Sequence, residues 1–150
     1  MPTDNEIIES AMSILRRRFS IVFQRDRLGD TSAVGNYFVL RMHKEIDEHF
    51  DVMFLDENFG VISVERLASG TKGLCHIYQR NVVKRALERN ATHVLVAHNH
   101  SPFRNFPSPE DIETTIRLKT ALESVDVSLA DHVIVSGDTY YSMREHGDIG

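Results

Sequence analysis

Cysteine is nearly absent from this chain of 150 residues, which has a single one at position 75. One cysteine cannot close an internal disulfide, so a reducing, cytoplasmic setting is the expectation. Long apolar runs are missing as well. None approaches the roughly eighteen residues that a membrane-spanning helix needs. The N-terminal MPTDNEIIES is acidic and lacks the basic-then-apolar layout of a secretion signal. Nor is there an excess of positive charge: 22 acidic residues face 17 Lys and Arg, for a formal net charge of −5. That balance argues against a large electrostatic footprint for nucleic acid. No internal repeat or low-complexity tract appears. With 41% apolar and 26% charged residues, the composition is that of an ordinary globular chain, long enough to bury a core.

What is there reads as alternating helices and strands. Thr3-Asp-Asn-Glu6 is a capping-box pattern, followed by Ile7, Ile8, Ala11, Met12, Leu15 and Phe19 at helical spacing. Arg16 to Arg18 are expected in the last turns of that first helix, where cations suit the dipole. A second helix is expected at about 33–45 on the ridge Val34, Phe38 and Met42. From His49 the period changes. HFDVMFLD and VISVERLA flank the turn DENFG, so 49–68 reads as a hairpin. IYQRNVVKRALERN is an amphipathic helix with Val82, Val83, Ala86 and Leu87 inward. HVLVAHNH is apolar at both parities and is therefore a central strand. Ser108 caps a helix with Pro109 at its first position, running to about Glu123. DVSLADHVIVS and TYYSM are strands joined at Gly137-Asp138. The expected architecture is an α/β (α+β-like) sandwich with one mixed sheet.

The chemistry concentrates in VLVAHNHSPFRNFPSPED, residues 94–111. Residues two apart on a strand face the same way, so His98 and His100 continue the face of Val94 and Val96. They leave the sheet at its C-terminal edge, where open α/β sheets tend to place their sites. Two imidazoles so spaced can converge on one ion, and a catalytic zinc takes three protein ligands plus water. Asp111 is the nearest third ligand. A second reading stands beside this one. Ser108-Pro-Glu-Asp111 also resembles a capping box, in which Asp111 bonds back to the cap amide, and the histidines are satisfied polar groups at a strand end. Spacing alone leaves both open. Asn99, of opposite parity, is expected to fix the loop backbone.

These residues carry a resemblance. His-Asn-His, ten intervening residues and Asp match the H-x-H-x₁₀-D signature of the JAMM (MPN+) metallohydrolases, with Ser108 where that family places a serine. FLDENFGVISVERLASGT, RNVVKRALERNATHVLVAHNH, PSPEDI and LADHVIVSGDTYYSMREHG resemble the RadC-like branch over about residues 45–147. The resemblance implies an MPN/JAB1 fold (cytidine deaminase-like), with a central mixed sheet flanked by helices. A helical segment, 1–44, would pack on a RadC-like MPN/JAMM domain, 45–150. It further implies one Zn²⁺ per chain on His98, His100 and Asp111. Glu65, in VERLASGT, would be the catalytic base, with Glu57 in the turn a weaker rival, and Ser108 would stabilise the oxyanion. The implied activity is that of a zinc-dependent metallopeptidase or isopeptidase, acting on a peptide or protein substrate with no membrane partner.

Departures from the pattern bear on the substrate. Ser101-Pro102-Phe103 replaces the usual Pro-Ser-Gly, and Phe103 and Phe106 make the loop over the metal more apolar. The helix-hairpin-helix region of longer RadC-like proteins is not expected in a chain of this length, so a DNA-repair role is expected to transfer poorly. Two rivals stay open: a non-catalytic metal-binding MPN module, and a DNA-associated metal-dependent nuclease. The letters HNH at 98–100 do not make an HNH nuclease, and Ser69-Gly-Thr-Lys72 lacks the glycine spacing of a P-loop. Cys75-His76 reads as structural rather than as a catalytic dyad. Arg104 either meets a substrate carboxylate or faces solvent. Asp131-His132 either supports the site from behind or forms an ordinary strand-end hydrogen bond.

Overall fold

A computed structural model describes residues 1–25, 32–70, 77–100 and 106–149. The elements are α1 (Asp4–Arg25), α2 (Ser32–Met42), β1 (Glu48–Leu55), β2 (Val61–Gly70), α3 (Gln79–Glu88), β3 (His93–Asn99), α4 (Pro109–Glu123), β4 (Ser128–Ser136) and β5 (Thr139–Ser142). The five strands form one sheet in the order β2-β1-β3-β4-β5. β3 and β4 run parallel, and every other neighbouring pair is antiparallel, so the sheet is mixed. Four helices flank it. The fold is the mixed α/β arrangement expected, consistent with a JAB/MPN-like domain.

β3 lies in the middle because its two parities feed two cores. Leu95 and Ala97 face α1 and α2, packing with Met12, Val34, Phe38 and Met42. Val94 and Val96 face α3 and α4, packing with Val82, Ala86, Leu118 and Leu122. An alternating strand would cover only one face; a strand apolar throughout is what a three-layer sandwich needs. Parallel β3 and β4 require a crossover, and α4 supplies it. The crossover returns the start of α4 to the end of β3, and this places the site.

Charge is buried on the α1–α2 side. Asp51 is fully buried in β1, and its carboxylate takes Arg41 at 2.6 Å and Arg66 at 2.9 Å. A buried anion persists only where such partners satisfy it.

Some local expectations shift. The first helix runs on to Arg25, so Arg16 to Arg18 stand in its middle rather than in its last turns. Arg16 instead lies over the Tyr37 ring at 5.7 Å, and a cation on a π face replaces the dipole argument. Leu87 is 56% exposed, because the apolar stripe of α3 narrows to Val82 and Ala86. Cys75, His76, Lys72, Pro102, Phe103 and Arg104 fall outside the described residues.

Gly35, within α2, sits where a Cβ would overlap the ring of Tyr140 on β5. Helix propensity favours Gly35→Ala by about 1 kcal/mol. Overpacking opposes it by about 1–3 kcal/mol, so the variant is expected to be less stable. Denaturant unfolding should show this loss, and Tyr140→Ala in the same chain should reverse its sign.

Candidate metal centre

His98 is buried next to the end of β3, and His100 follows just beyond the strand, its amide bonded to the Val135 carbonyl at 2.8 Å. That bond extends the parallel pairing to β4 by one residue and carries the second imidazole out on the first one's face. α4 begins above them. Ser108 is its N-cap: the hydroxyl accepts from the Asp111 amide at 3.1 Å, while the Asp111 carboxylate accepts from the Ser108 amide at 2.8 Å. The capping box is complete.

The same carboxylate faces the imidazoles. His98 Nε2 is 3.5 Å from Asp111 Oδ1, His100 Nε2 is 3.1 Å from Asp111 Oδ2, and the two Nε2 atoms are 2.6 Å apart. The capping and converging readings of Asp111 are therefore compatible. Burial alone would raise the carboxyl's pKa. The adjacent His100 and His98 rings and the hydrogen bond from the Ser108 amide outweigh it and hold the group well below the usual carboxylate range. The three ligand atoms lie within 4.8 Å of one another. Two nitrogens and one anionic oxygen are a donor set that zinc takes. The residues fit a metal ion.

A cavity of about 370 Å³ opens over this cluster. Phe50, Ile77 and Tyr78 give it apolar wall, Gln79 and Thr114 polar wall, and Arg117 a cation. The carboxylates lining it are Asp111 and Glu48. Glu48 opens β1, and β1 pairs with β3 so that Phe50 meets His98; continuing that register sets Glu48 across from His100. Asn99 fixes this end of β1. Its side chain accepts from the His49 amide at 2.7 Å and donates to the Asp47 carbonyl at 2.8 Å, gripping the backbone on both sides of Glu48.

Glu65, expected as the base, is not brought to the cluster. It pairs with Val52, itself level with Val96, so it lies one step further from the strand end than His98. There α3 covers it. Arg85 and Arg89, one helical turn apart, both bind its carboxylate, Arg89 at 2.9 Å, and Ser63 donates at 2.7 Å. Glu57 is exposed in the hairpin turn. Phe106, expected at an apolar lip, is 54% exposed. Sequence reasoning passed over Glu48, although it shares parity with Phe50, Val52 and Phe54; a glutamate opening a strand looks like a solvated end.

Behind the cluster, His132 of β4 is buried. Its Nε2 lies 2.7 Å from His98 Nδ1, and its Nδ1 lies 2.6 Å from Thr115 Oγ1. Burial pushes its pKa well below the ordinary value, and the adjacent His98 acts in the same direction, so the ring is neutral. Asp131 holds the backbone here, accepting from the His132 and Arg144 amides and from the Ser142 hydroxyl.

The RadC-like JAB domain description matches residues 28–148, and the chain belongs to that family. It is 38% identical over 141 residues to a UPF0758 protein of Xylella fastidiosa (strain Temecula1), covering 93% of this chain and 63% of that protein. A UPF0758 protein of Pseudomonas syringae pv. tomato shows the same identity and coverage. The UPF0758 protein YkfG of Escherichia coli K12 is 37% identical over 149 residues, covering 97% of this chain and 91% of YkfG. The chain thus spans under two thirds of the first relatives and most of YkfG. Among the described residues, no helix is long and apolar enough to cross a membrane.

The Glu65 cluster makes a prediction of its own. Desolvation pushes this carboxyl up, but the bonds from Arg89, Arg85 and Ser63 override it and lower the pKa from 4.5 to about 2. A group depressed in the folded state stabilises fully above its unfolded pKa and loses that contribution as pH falls through the folded value. Glu65→Gln is expected to cost about 1–2 kcal/mol at neutral pH, discounted for its part-exposed arginines. The gap to wild type should close between pH 4.5 and about 2, as read from denaturant unfolding across that range.

Proposed function

We propose that the chain is a zinc-dependent hydrolase of amide bonds, with His98, His100 and Asp111 holding one ion and Glu48 serving as the proton acceptor. The observation that carries this reading is the convergence of three ligand atoms at a cavity that Glu48 also lines. Zinc bound there would supply Lewis acidity and bring a water molecule toward a pKa of about 7. The chain's own residues do the rest. Glu48, gripped on both sides by Asn99, takes the proton of the attacking water and returns it to the leaving amine. Ser108 accepts from the Asp111 amide, which leaves its hydroxyl proton to donate to the developing oxyanion. The base role passes from Glu65 to Glu48 because two arginines occupy Glu65.

A cavity lined by apolar and neutral polar side chains and by Glu48 and Asp111, with Arg117 as its cation among the described residues, suits a peptide or isopeptide better than a polyanion. The net charge of −5 points the same way. Membership of the RadC-like JAB domain family adds to the hydrolase reading.

The test is a pair of carboxamide variants on a panel of peptides and Lys-linked isopeptides. Wild type is expected to hold about one zinc per chain after dialysis. Glu48→Gln should keep that zinc and lose about 10²–10⁴-fold in turnover. Glu65→Gln should keep both zinc and turnover. Full turnover in Glu48→Gln removes it as base, and a wild type without zinc removes the whole reading. Bound zinc with no turnover across the panel favours the binding-module reading over the hydrolase.

A further inference from the structure

The cluster rests on a hydrogen-bonded path that passes behind it, and every proton on that path can be placed. Thr115 Oγ1 lies 2.6 Å from the Asp111 carbonyl oxygen and 2.6 Å from His132 Nδ1. A carbonyl oxygen has no proton to give, so the single hydroxyl proton of Thr115 points at Asp111, the thioether of Met143 at 3.7 Å being the weaker acceptor. The proton between Thr115 and His132 then belongs to the ring: His132 donates from Nδ1. A neutral imidazole that donates at one nitrogen accepts at the other. His132 Nε2 is therefore an acceptor, and the proton across the 2.7 Å to His98 sits on His98 Nδ1. His98 is left with its lone pair on Nε2, the atom that faces His100 and Asp111.

We infer that Thr115 and His132 form a positioning relay that locks His98 in the Nδ1–H tautomer and aims its Nε2 lone pair at the ion site. This rests on the proposed metal-binding role of His98, His100 and Asp111. The relay begins and ends on one residue. Asp111 offers its side chain to the ion, and its main-chain oxygen, one helical turn below Thr115, sets the direction of the first hydrogen bond. Both middle members are almost wholly buried, with Thr115 at 1% and His132 at 2% exposure, so water does not compete for their bonds. His132 is in turn pinned through its amide by Asp131, and the Phe50 ring meets it edge-on at 5.8 Å. Partners of this kind around a metal-binding histidine fix its tautomer and its orientation.

The experiment reads tautomers first and zinc second. Long-range proton–nitrogen correlation spectra of the metal-free full chain should show His98 and His132 both protonated at Nδ1. Thr115→Val keeps the shape and removes the hydroxyl, so His132 loses its acceptor; zinc affinity, measured against a competing chelator, should fall about 10–100-fold. Thr115→Ser restores the hydroxyl and should return affinity close to wild type. A metal-free His98 protonated at Nε2 overturns the relay, and the wild-type spectra decide this even if Thr115→Val fails to fold. Equal zinc affinity in wild type and Thr115→Val also overturns it while leaving the metal site standing. A wild type that takes no zinc sinks the metal site and the relay's purpose together.

Discussion

One oxygen of Asp111 accepts the Ser108 amide at 2.8 Å and lies 3.1 Å from His100, while the other faces His98 at 3.5 Å. This carboxylate is at once the reciprocal cap of α4 and the third corner of the candidate ion site. α4 must begin here for the corner to exist, and the carboxylate must turn back for α4 to begin cleanly. The crossover between parallel β3 and β4 brings the two together. A helix N-terminus also favours an anion by its dipole. Backbone, dipole and imidazoles all stabilise the same charge, which is why the carboxyl stays ionised though part-buried.

The two glutamates show how register assigns a role. Glu48 and Glu65 lie on adjacent antiparallel strands and both face the α3–α4 side. Glu48 lies at the open end of β1, across from His100. Glu65 lies opposite Val52, inside the reach of α3, where Arg85 and Arg89 bind it. A base must be free to take a proton, and a carboxylate held down to a pKa of about 2 by two guanidiniums is a poor acceptor. Asn99 adds the complementary constraint. Standing between the two histidines but turned to the other side, it clamps the backbone that carries Glu48. One tripeptide thus aligns both the ligands and the candidate base.

The opposite face of the sheet has a different task. α1 and α2 cover it with Met12, Val34, Phe38 and Met42, and Asp51 is buried there between Arg41 and Arg66. None of these residues lines the cavity above the histidines. They support β1 and β3 from behind, so that the strand ends bearing Glu48 and His98 are held by a packed core rather than by a loop. Rigid elements hold a catalytic geometry better than loops do.

Much of this was legible in the residues themselves. Both-parity apolarity placed β3 at the centre; Thr3 and Ser108 marked two helix starts; His98, His100 and Asp111 showed a ligand spacing. Each of these is a local property, set by a period of two or 3.6 or by a cap within four residues. The pairing of strands is not local. β2 inserts an extra residue, Leu67, where Phe50 meets Ala68 and Asp51 meets Arg66, and parity counted along the chain does not reveal such a shift. Likewise, Thr115 and His132 stand 17 residues apart and meet only because α4 lies across β4. The sequence by itself determined the elements and the three candidate ligands. Tertiary structure decided which glutamate lines the cavity over them and which histidine stands behind them, because strand register and helix docking are settled by packing across the sheet.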